Sequence, residues 1–152
     1  MNEGEVIFAF VLMGTGEDKQ LQRMNDIEAY RHQSVAYITK LRQDLDKLIR
    51  KGVNIAIWGG TGKSAAFLNA LDVNPEDLPL VVDSDERKVG TYVPGLGQLI
   101  RSPGYLIDNP VDVVLIPTYW RAKDIHKEME RKGIQCEKII VAFRGNFITL
   151  EV

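Results

Sequence analysis

The sequence predicts an α/β fold of three layers, in which a mostly parallel sheet lies between helices and a long helix precedes it. Three observations predict this fold. Short apolar segments at 54–58, 78–82, 111–116 and 138–142 have the composition of buried strands. Segments with helical periodicity alternate with them. A glycine-rich turn, Gly59–Gly62, follows the first strand and precedes a helix, as in folds that bind ligands at the carboxyl ends of parallel strands.

The composition is that of an ordinary globular chain of 152 residues, 45% apolar and 26% charged. The formal net charge of −2 gives no electrostatic indication of nucleic-acid binding. The apolar run Val6–Met13 is too short to span a bilayer, and Glu3 and Glu5 precede it where a signal peptide would be basic. A single cysteine, Cys136, fits a reducing compartment. We therefore expect a cytoplasmic protein that binds neither membranes nor nucleic acid.

The N-terminal segment, residues 1–24, is predicted to be a strand followed by a linker. Its run Val6–Met13 is apolar throughout, so a strand here needs cover on both faces. Such a strand is unusual as the first element of a chain of this size. We expect residues 1–24 to be an edge strand or the remnant of a preceding domain, and residues 25–152 to form the α/β domain.

A long helix is predicted to follow, from Asn25 to Arg50. Asn25 and Glu28 have the spacing of a capping box, and apolar residues recur at helical intervals as far as Leu48. Gly52 occupies the position of a C-terminal cap. Roughly 26 residues would span about 39 Å. A helix of this length is expected to reach another domain or a second subunit.

The segments that follow indicate where a ligand would bind. Ser84–Asp108 is irregular and rich in glycine and proline, Tyr119–Lys132 predicts a helix that ends before Gly133, and Phe147–Leu150 predicts a last edge strand. Right-handed crossovers bring the carboxyl ends of parallel strands to one edge of the sheet. The residues that follow each strand are therefore expected to share that edge, where open α/β sheets bind ligands.

The glycine turn is a candidate anion site. A P-loop would require a glycine five residues before Gly62, but Ile57 stands there, so the turn is too short for an NTPase. The G-x-G-x-x-G spacing of dinucleotide-binding folds is only partly met. Backbone N–H groups at a helix N-terminus suit a phosphate; alternatively, the glycines serve tight packing alone. The candidate ligand-binding residues of this turn are Gly59, Gly60, Thr61, Gly62, Lys63 and Ser64.

Three further candidates follow strands at the same edge. Asp83 ends the second strand, where dinucleotide folds carry an acid that binds ribose hydroxyls; alternatively, it begins a turn. Tyr119 and Trp120 would stack on a base or sugar, or would anchor the helix that follows. The two histidines, His32 and His126, lie far apart and predict no metal cluster. The sequence shows no complete catalytic set.

Three stretches of the chain have the order and spacing of one family. They are the glycine turn with its lysine in Ile57–Leu68, the series Val82-Asp83-x4-Lys88-x-Gly90-x-Tyr92-x-Pro94-Gly95, and the strand Val111–Ile116 followed by an aromatic residue and Asp124-Ile125. Over about residues 27–141, the chain resembles the C-terminal domain of sugar-nucleotide (NDP-hexose) C-methyltransferases, which serve deoxysugar biosynthesis. It departs from the family pattern at Gly60, where the family has alanine.

The resemblance implies a Rossmann-like domain that holds the nucleotide-sugar substrate of an S-adenosylmethionine-dependent transferase. Gly59–Ser64 would meet a phosphate, Asp83 would meet a sugar hydroxyl, and Lys88 and Tyr92 would shape the rim. No cofactor is expected in this chain, because S-adenosylmethionine and zinc would belong to other domains. The implied partner is a methyltransferase domain in cis, without which the chain would be inactive, and residues 1–24 would be the remnant of that domain. A homodimer through the long helix is also expected.

Two other functions stay open from the sequence. The position of Asp83 also suits a stand-alone NAD(P)- or nucleotide-binding Rossmann protein. An interaction module with a vestigial site is the other alternative, and in that case the long helix would mediate dimerisation.

Overall fold

The structure, a computed structural model, describes the backbone of residues 17–150 and the side chains of residues 19–150. The strand predicted at Val6–Met13 lies outside these residues. The chain divides into two compact units, Met1–Gln33 and Ser34–Val152. The first helix, α1, extends from Glu17 to Arg50 and belongs to both. The sheet and the remaining helices all lie in the second unit.

Helix α1 begins at Glu17, so the predicted start at Asn25 is wrong. The capping-box residues Asn25 and Glu28 lie inside the helix. Residues 17–24 are mostly glutamate, lysine, glutamine, leucine, arginine and methionine, which have high helix propensity and extend the helix past a start signal of this kind. The predicted end is confirmed, since the helix closes at Arg50 and Gly52 follows with φ 72°.

One six-stranded sheet forms the centre of the second unit, in the order β3-β2-β1-β4-β5-β6. The first five strands are parallel, and β6 is antiparallel to β5. The strands are β1 Ile55–Trp58, β2 Leu80–Val82, β3 Ile100–Arg101, β4 Val113–Ile116, β5 Lys138–Phe143 and β6 Asn146–Thr149. The predicted mostly parallel sheet is confirmed, and its order is that of the dinucleotide-binding fold.

Three more helices connect the strands. They are α2 Lys63–Ala70, α3 Tyr105–Asp108 and α4 Ala122–Lys132, and a single turn of 3-10 helix, Tyr119–Arg121, leads into α4. The irregular segment predicted at Ser84–Asp108 thus contains β3 and α3. A strand of two residues and a helix of one turn are too short to give a hydrophobic period in the sequence.

The strands are buried on both faces because helices pack on each side. On one face, Ile57 and Leu115 of the central strands pack with Leu45 of α1 and Leu68 of α2. On the other face, alternate residues such as Val114 pack with α3 and α4. This arrangement confirms the three-layer α/β fold predicted from the apolar strands. Within residues 17–150, no helix is both long and apolar enough to cross a membrane.

Candidate functional site

The centre of the sheet contains a topological switch point. From β1 the chain passes to β2 on one side, whereas from β4 it passes to β5 on the other side. The loops that leave these two neighbouring strands therefore diverge and open a crevice between them. A cleft of about 310 Å³ lies here, which we call the switch-point cleft. It is lined by Trp58, Gly59, Thr61, Lys63, Ser64, Asp83, Ser84, Asp85, Lys88, Thr118, Trp120, Arg121 and Ile125.

Most of the candidate residues lie together in this cleft. The candidates that line it are Gly59, Thr61, Lys63, Ser64, Asp83, Lys88 and Trp120, and those that do not are Gly60, Gly62, Tyr92 and Tyr119. The other residues of the lining were not among the site candidates from the sequence, namely Trp58, Ser84, Asp85, Thr118, Arg121 and Ile125. Ser84 and Asp85 follow β2 directly, so their position after a predicted strand was the signal that could have found them.

The glycine turn presents the start of a helix to the cleft. Gly59 has φ 117°, which side-chain-bearing residues rarely adopt, and its N–H donates to the Val82 carbonyl at 2.7 Å. Helix α2 starts at Lys63, and its N-cap, Gly62, provides no side-chain cap. The first N–H groups of a helix lack intrahelical acceptors and carry the positive end of the helix dipole. This side of the cleft therefore favours an anion.

Gly60 lies beneath the turn and is buried. A Cβ at this position would stand 2.5 Å from Cδ1 of Ile100 and 3.3 Å from Cγ1 of Val81. A side chain at this position would force the buried side chain of Ile100 to shift, so glycine permits the close packing of the turn against β2 and β3. This accounts for the departure from the family's alanine at this position, because Ile100 occupies the space that a methyl group would need.

The carboxylate of Asp83 connects the end of β2 to the glycine turn. Its Oδ2 accepts from the N–H of Gly60 at 3.1 Å and from Nζ of Lys88 at 3.4 Å, and its Oδ1 accepts from the N–H of Asp85 at 3.0 Å. The residue is 8% exposed. Asp83 thus has a structural role in shaping the cleft, and a contact with a ligand hydroxyl would use its remaining lone pairs.

Asp85 places a second carboxylate at the cleft. Both of its oxygens accept from the guanidinium of Arg87, at 2.9 and 2.8 Å. These hydrogen bonds lower the pKa of Asp85 from 3.8 to about 2. Asp85 is therefore negatively charged throughout the physiological pH range.

Trp120 contributes an aromatic ring to the lining of the cleft. Nζ of Lys63 lies 4.8 Å from the ring centre of Trp120. Trp120 also contacts Tyr119 edge to face at 5.8 Å, and Tyr119 packs against Phe143 at 4.6 Å. Tyr119 therefore supports Trp120 from outside the cleft lining. The candidate Tyr92 is 64% exposed and pairs with Leu99 through an isolated bridge.

Comparison with protein families shows to which family the chain belongs. The family model for the C-methyltransferase C-terminal domain matches residues 11–143, which is most of the chain. The chain belongs to this family. The resemblance stated from the sequence is confirmed, and membership implies a methyltransferase partner domain in cis. A comparison with curated protein sequences gives no match.

In this C-methyltransferase C-terminal domain, a chain of hydrogen bonds crosses from the cleft to α4. Nε1 of Trp58 donates to Oγ of Ser84 at 3.0 Å, and Oγ of Ser84 donates to Oε2 of Glu128 at 2.6 Å. Trp58 is 2% exposed, and Ser84 and Glu128 are partly buried. The three residues lie on β1, on the loop after β2 and on α4, so the contacts fix the relative positions of three elements around the cleft.

A second cavity, of about 390 Å³, lies where α4 ends and β5 begins. Cys136 lines it, and burial raises the pKa of its thiol, which disfavours the reactive thiolate. His126 also lines it, with Nδ1 3.9 Å from Oε2 of Glu130. Among the described side chains, no group of three or more histidine, cysteine, aspartate and glutamate residues could hold a metal ion.

Proposed function

We propose that this domain binds the nucleotide-sugar substrate of an S-adenosylmethionine-dependent NDP-hexose C-methyltransferase. The observation that carries the proposal is the polarity of the switch-point cleft. Its lining combines the N-terminus of α2 and Lys63 with acceptors from Asp83 to Asp85. A nucleotide sugar has matching chemistry, since its pyrophosphate is anionic and its sugars carry hydroxyl donors.

The glycine turn is the expected pyrophosphate contact. The uncapped N-terminus of α2 supplies N–H groups and a positive dipole end. Lys63 and Arg121 add two positive side chains to the lining of the same cleft. A phosphate in contact with these groups gains charge-assisted hydrogen bonds, which are stronger than neutral ones.

Trp120 is the expected stacking surface for a base or a sugar ring. It lines the cleft and is held edge to face by Tyr119. An aromatic face gives apolar contact that does not depend on the identity of the base. This feature supports the binding of both uridine and thymidine diphosphate sugars.

The size of the cleft supports a shared site. Its volume of about 310 Å³ is near the lower end of the range for small-molecule pockets, about 300–1,000 Å³. A nucleoside diphosphate hexose is large for such a space, so part of it would extend toward the methyltransferase domain. That domain would supply S-adenosylmethionine and the reacting groups, and zinc would belong to a further part of the enzyme.

Isothermal titration of the 152-residue chain with thymidine and uridine diphosphate glucose tests the proposal. We expect saturable binding that weakens with added salt, because exposed phosphate contacts are screened. Lys63→Gln should weaken binding by about tenfold to a hundredfold, as for the loss of one charge-assisted hydrogen bond. Lys51→Gln, an exposed lysine at the end of α1, is the matched control and should leave binding unchanged. Absence of binding by every nucleotide sugar would refute the proposal.

A stand-alone NAD(P)-binding protein is the second candidate. The strand order 3-2-1-4-5-6 and the acid at the end of β2 favour it. The match to the C-methyltransferase C-terminal domain over residues 11–143 counts against it, because that match implies a methyltransferase domain in cis. A larger rise in melting temperature with NADH or NADPH than with nucleotide sugars would support this alternative.

We also propose that α1 forms a homodimer contact in the isolated chain. Between Glu17 and Gln33 it exposes four large apolar side chains at intervals of three residues, namely Leu21, Met24, Ile27 and Tyr30. Residues three apart are neighbours on a helix surface, and a contiguous apolar surface favours association. Light scattering should give a dimer for the unmodified chain and a monomer for the Met24→Lys, Ile27→Lys double variant. A monomeric unmodified chain would contradict this proposal.

A further inference from the structure

We propose that Ser84 is a fixed hydrogen-bond acceptor for a sugar hydroxyl of the ligand, and that Glu128 is the positioning residue that fixes it. The inference rests on the proposed binding of a nucleotide sugar and identifies a residue that would recognise one of its hydroxyl groups. Neither residue was a candidate from the sequence, and Glu128 does not line the cleft.

The donors and acceptors at Ser84 allow only one assignment. An indole N–H is a donor only, so the hydroxyl of Ser84 accepts from Nε1 of Trp58 at 3.0 Å. An ionised carboxylate is an acceptor only, so the same hydroxyl donates its proton to Glu128 at 2.6 Å. A serine hydroxyl has one donor and two acceptor positions. One acceptor position therefore remains for a ligand in the cleft, and no donor position does.

This orientation selects the chemistry of the group that Ser84 can meet. A phosphate or carbonyl oxygen would place an acceptor against an acceptor. A hydroxyl group can donate to the remaining lone pair of Ser84. The carboxylates of Asp83 and Asp85, which flank Ser84 in the lining of the cleft, also offer acceptor atoms. A sugar hydroxyl, from the hexose or from the ribose, is the part of a nucleotide sugar that fits.

Glu128 determines the direction of the Ser84 proton. It lies on α4, its side chain is 17% exposed, and its other oxygen is 3.9 Å from Nζ of Lys132. Without an acceptor at Glu128, the hydroxyl of Ser84 could rotate and donate into the cleft. The side chain of Glu128 thus affects ligand choice without touching the ligand, which distinguishes its role from that of a residue that only supports the fold.

The test is a titration of the full chain with thymidine diphosphate glucose and with analogues in which one hydroxyl is replaced by fluorine. Fluorine keeps the size of the group but cannot donate. For the unmodified chain we expect one analogue to bind about fivefold more weakly, the range for one hydrogen bond. If the weaker analogue has fluorine on the hexose, the hydroxyl that meets Ser84 belongs to the hexose. If it has fluorine on the ribose, the hydroxyl belongs to the ribose.

The variants separate recognition from folding. Ser84→Ala should bind that analogue and the parent ligand equally. Glu128→Leu should show a smaller preference than the unmodified chain, because its Ser84 hydroxyl is no longer held in one orientation. Glu128→Gln should retain the preference because its amide oxygen can still accept from Ser84. Ser102→Ala is the matched control, since Ser102 is exposed and does not line the cleft. Melting temperatures and amide NMR spectra confirm that each variant is folded.

Two failures have different meanings. If the unmodified chain binds no nucleotide sugar, the proposed function and the Ser84 assignment both fall. If it binds them but shows no preference for a hydroxyl over fluorine at any position, or if Ser84→Ala retains that preference, the assignment of Ser84 is wrong and the proposed function stands.

Discussion

Gly60 has little room for a side chain in the glycine turn. A methyl group there would collide with Ile100 and crowd Val81. We expect Gly60→Ala to lower the free energy of unfolding by about 1–3 kcal/mol, as overpacking commonly does, measured by urea denaturation. Gly104→Ala is the control, because its Cβ would meet only Ser102 Oγ at 3.9 Å and its φ of −57° suits any residue. Equal losses in the two variants would contradict this account.

Asp83 should contribute more to stability than its ion-pair partner does. An asparagine at this position would keep one acceptor oxygen where three donors now meet two oxygens, so Asp83→Asn should cost about 1–3 kcal/mol in urea denaturation. Lys88→Met removes one partner of a salt bridge in which the lysine side chain is 35% exposed and the aspartate side chain 10% exposed. Because Asp83 keeps its hydrogen bonds from two N–H groups, we expect a smaller loss, of about 1 kcal/mol. If Lys88→Met lost more stability than Asp83→Asn, the ion pair with Lys88 would be the main contribution of Asp83, and the hydrogen bond from the N–H of Gly60 would be the minor one.

Asp85 gives a pH-dependent prediction. Its pKa is lowered, from 3.8 to about 2, chiefly by hydrogen bonds from Arg87. The stabilisation from the pair is complete above pH 3.8 and is lost as the pH falls toward about 2. An NMR titration of the Asp85 carboxyl carbon should show this pKa, and Arg87→Gln should raise it toward 3.8. An unchanged pKa in the variant would exclude Arg87 as the cause.

The sequence predicted much of the cleft at this scale. Gly59, Thr61, Lys63, Ser64, Asp83, Lys88 and Trp120 were candidates, and all of them line it. Their positions after strands made them predictable. Ser84 and Glu128 were not predictable in their joint role, because their contact joins residues 44 positions apart. A contact between residues so far apart in the chain cannot be predicted from a local sequence pattern.

At the scale of elements, α4 ends where its sequence predicts. Gly133 has φ 68° and ψ 24°, and its N–H donates to the Glu130 carbonyl while that of Ile134 donates to Met129. A Cβ at Gly133 would meet nothing within 4 Å, so the cost of Gly133→Ala comes from the left-handed conformation alone. We expect a loss of about 1 kcal/mol, or a fall in melting temperature of about 2–4 °C. No change on thermal unfolding would contradict that explanation.

The errors at this scale have physical causes. Helix α1 passes through Asn25 because a capping residue favours a helix start only where the preceding residues do not themselves favour helix. The edge strand β3 has only two residues, and its position is set by pairing with Val81 and Val82 of β2. Pairing of this kind depends on tertiary contacts, which a short segment does not show in its own sequence.

At the scale of the whole molecule, the fold class was predictable and the strand order was not. Continuous burial of β1 and β4 appears in the sequence as uninterrupted apolar residues. The order of the strands depends on which edge each crossover returns to, and the right-handed rule fixes only the hand of each connection. The switch point between β1 and β4 therefore came from the structure, whereas the sheet edge that carries the cleft was expected from the sequence.

The isolated chain should not transfer methyl groups. On the proposed function, the methyl donor and the reacting groups belong to the partner domain in cis. Incubation with S-adenosylmethionine and a nucleotide sugar should give no S-adenosylhomocysteine above a protein-free control, as measured by mass spectrometry. Turnover by the 152-residue chain alone would overturn the assignment of chemistry to another domain.

The two tryptophans of this chain, Trp58 and Trp120, both line the cleft, and their surroundings differ. The indole of Trp58 is buried and donates to Ser84, whereas that of Trp120 is partly exposed and has the ammonium group of Lys63 near its ring. Emission from Trp58 should therefore lie at shorter wavelength than emission from Trp120. The protein carries two natural fluorophores at one site, so occupancy and local polarity there can be followed optically without any attached label.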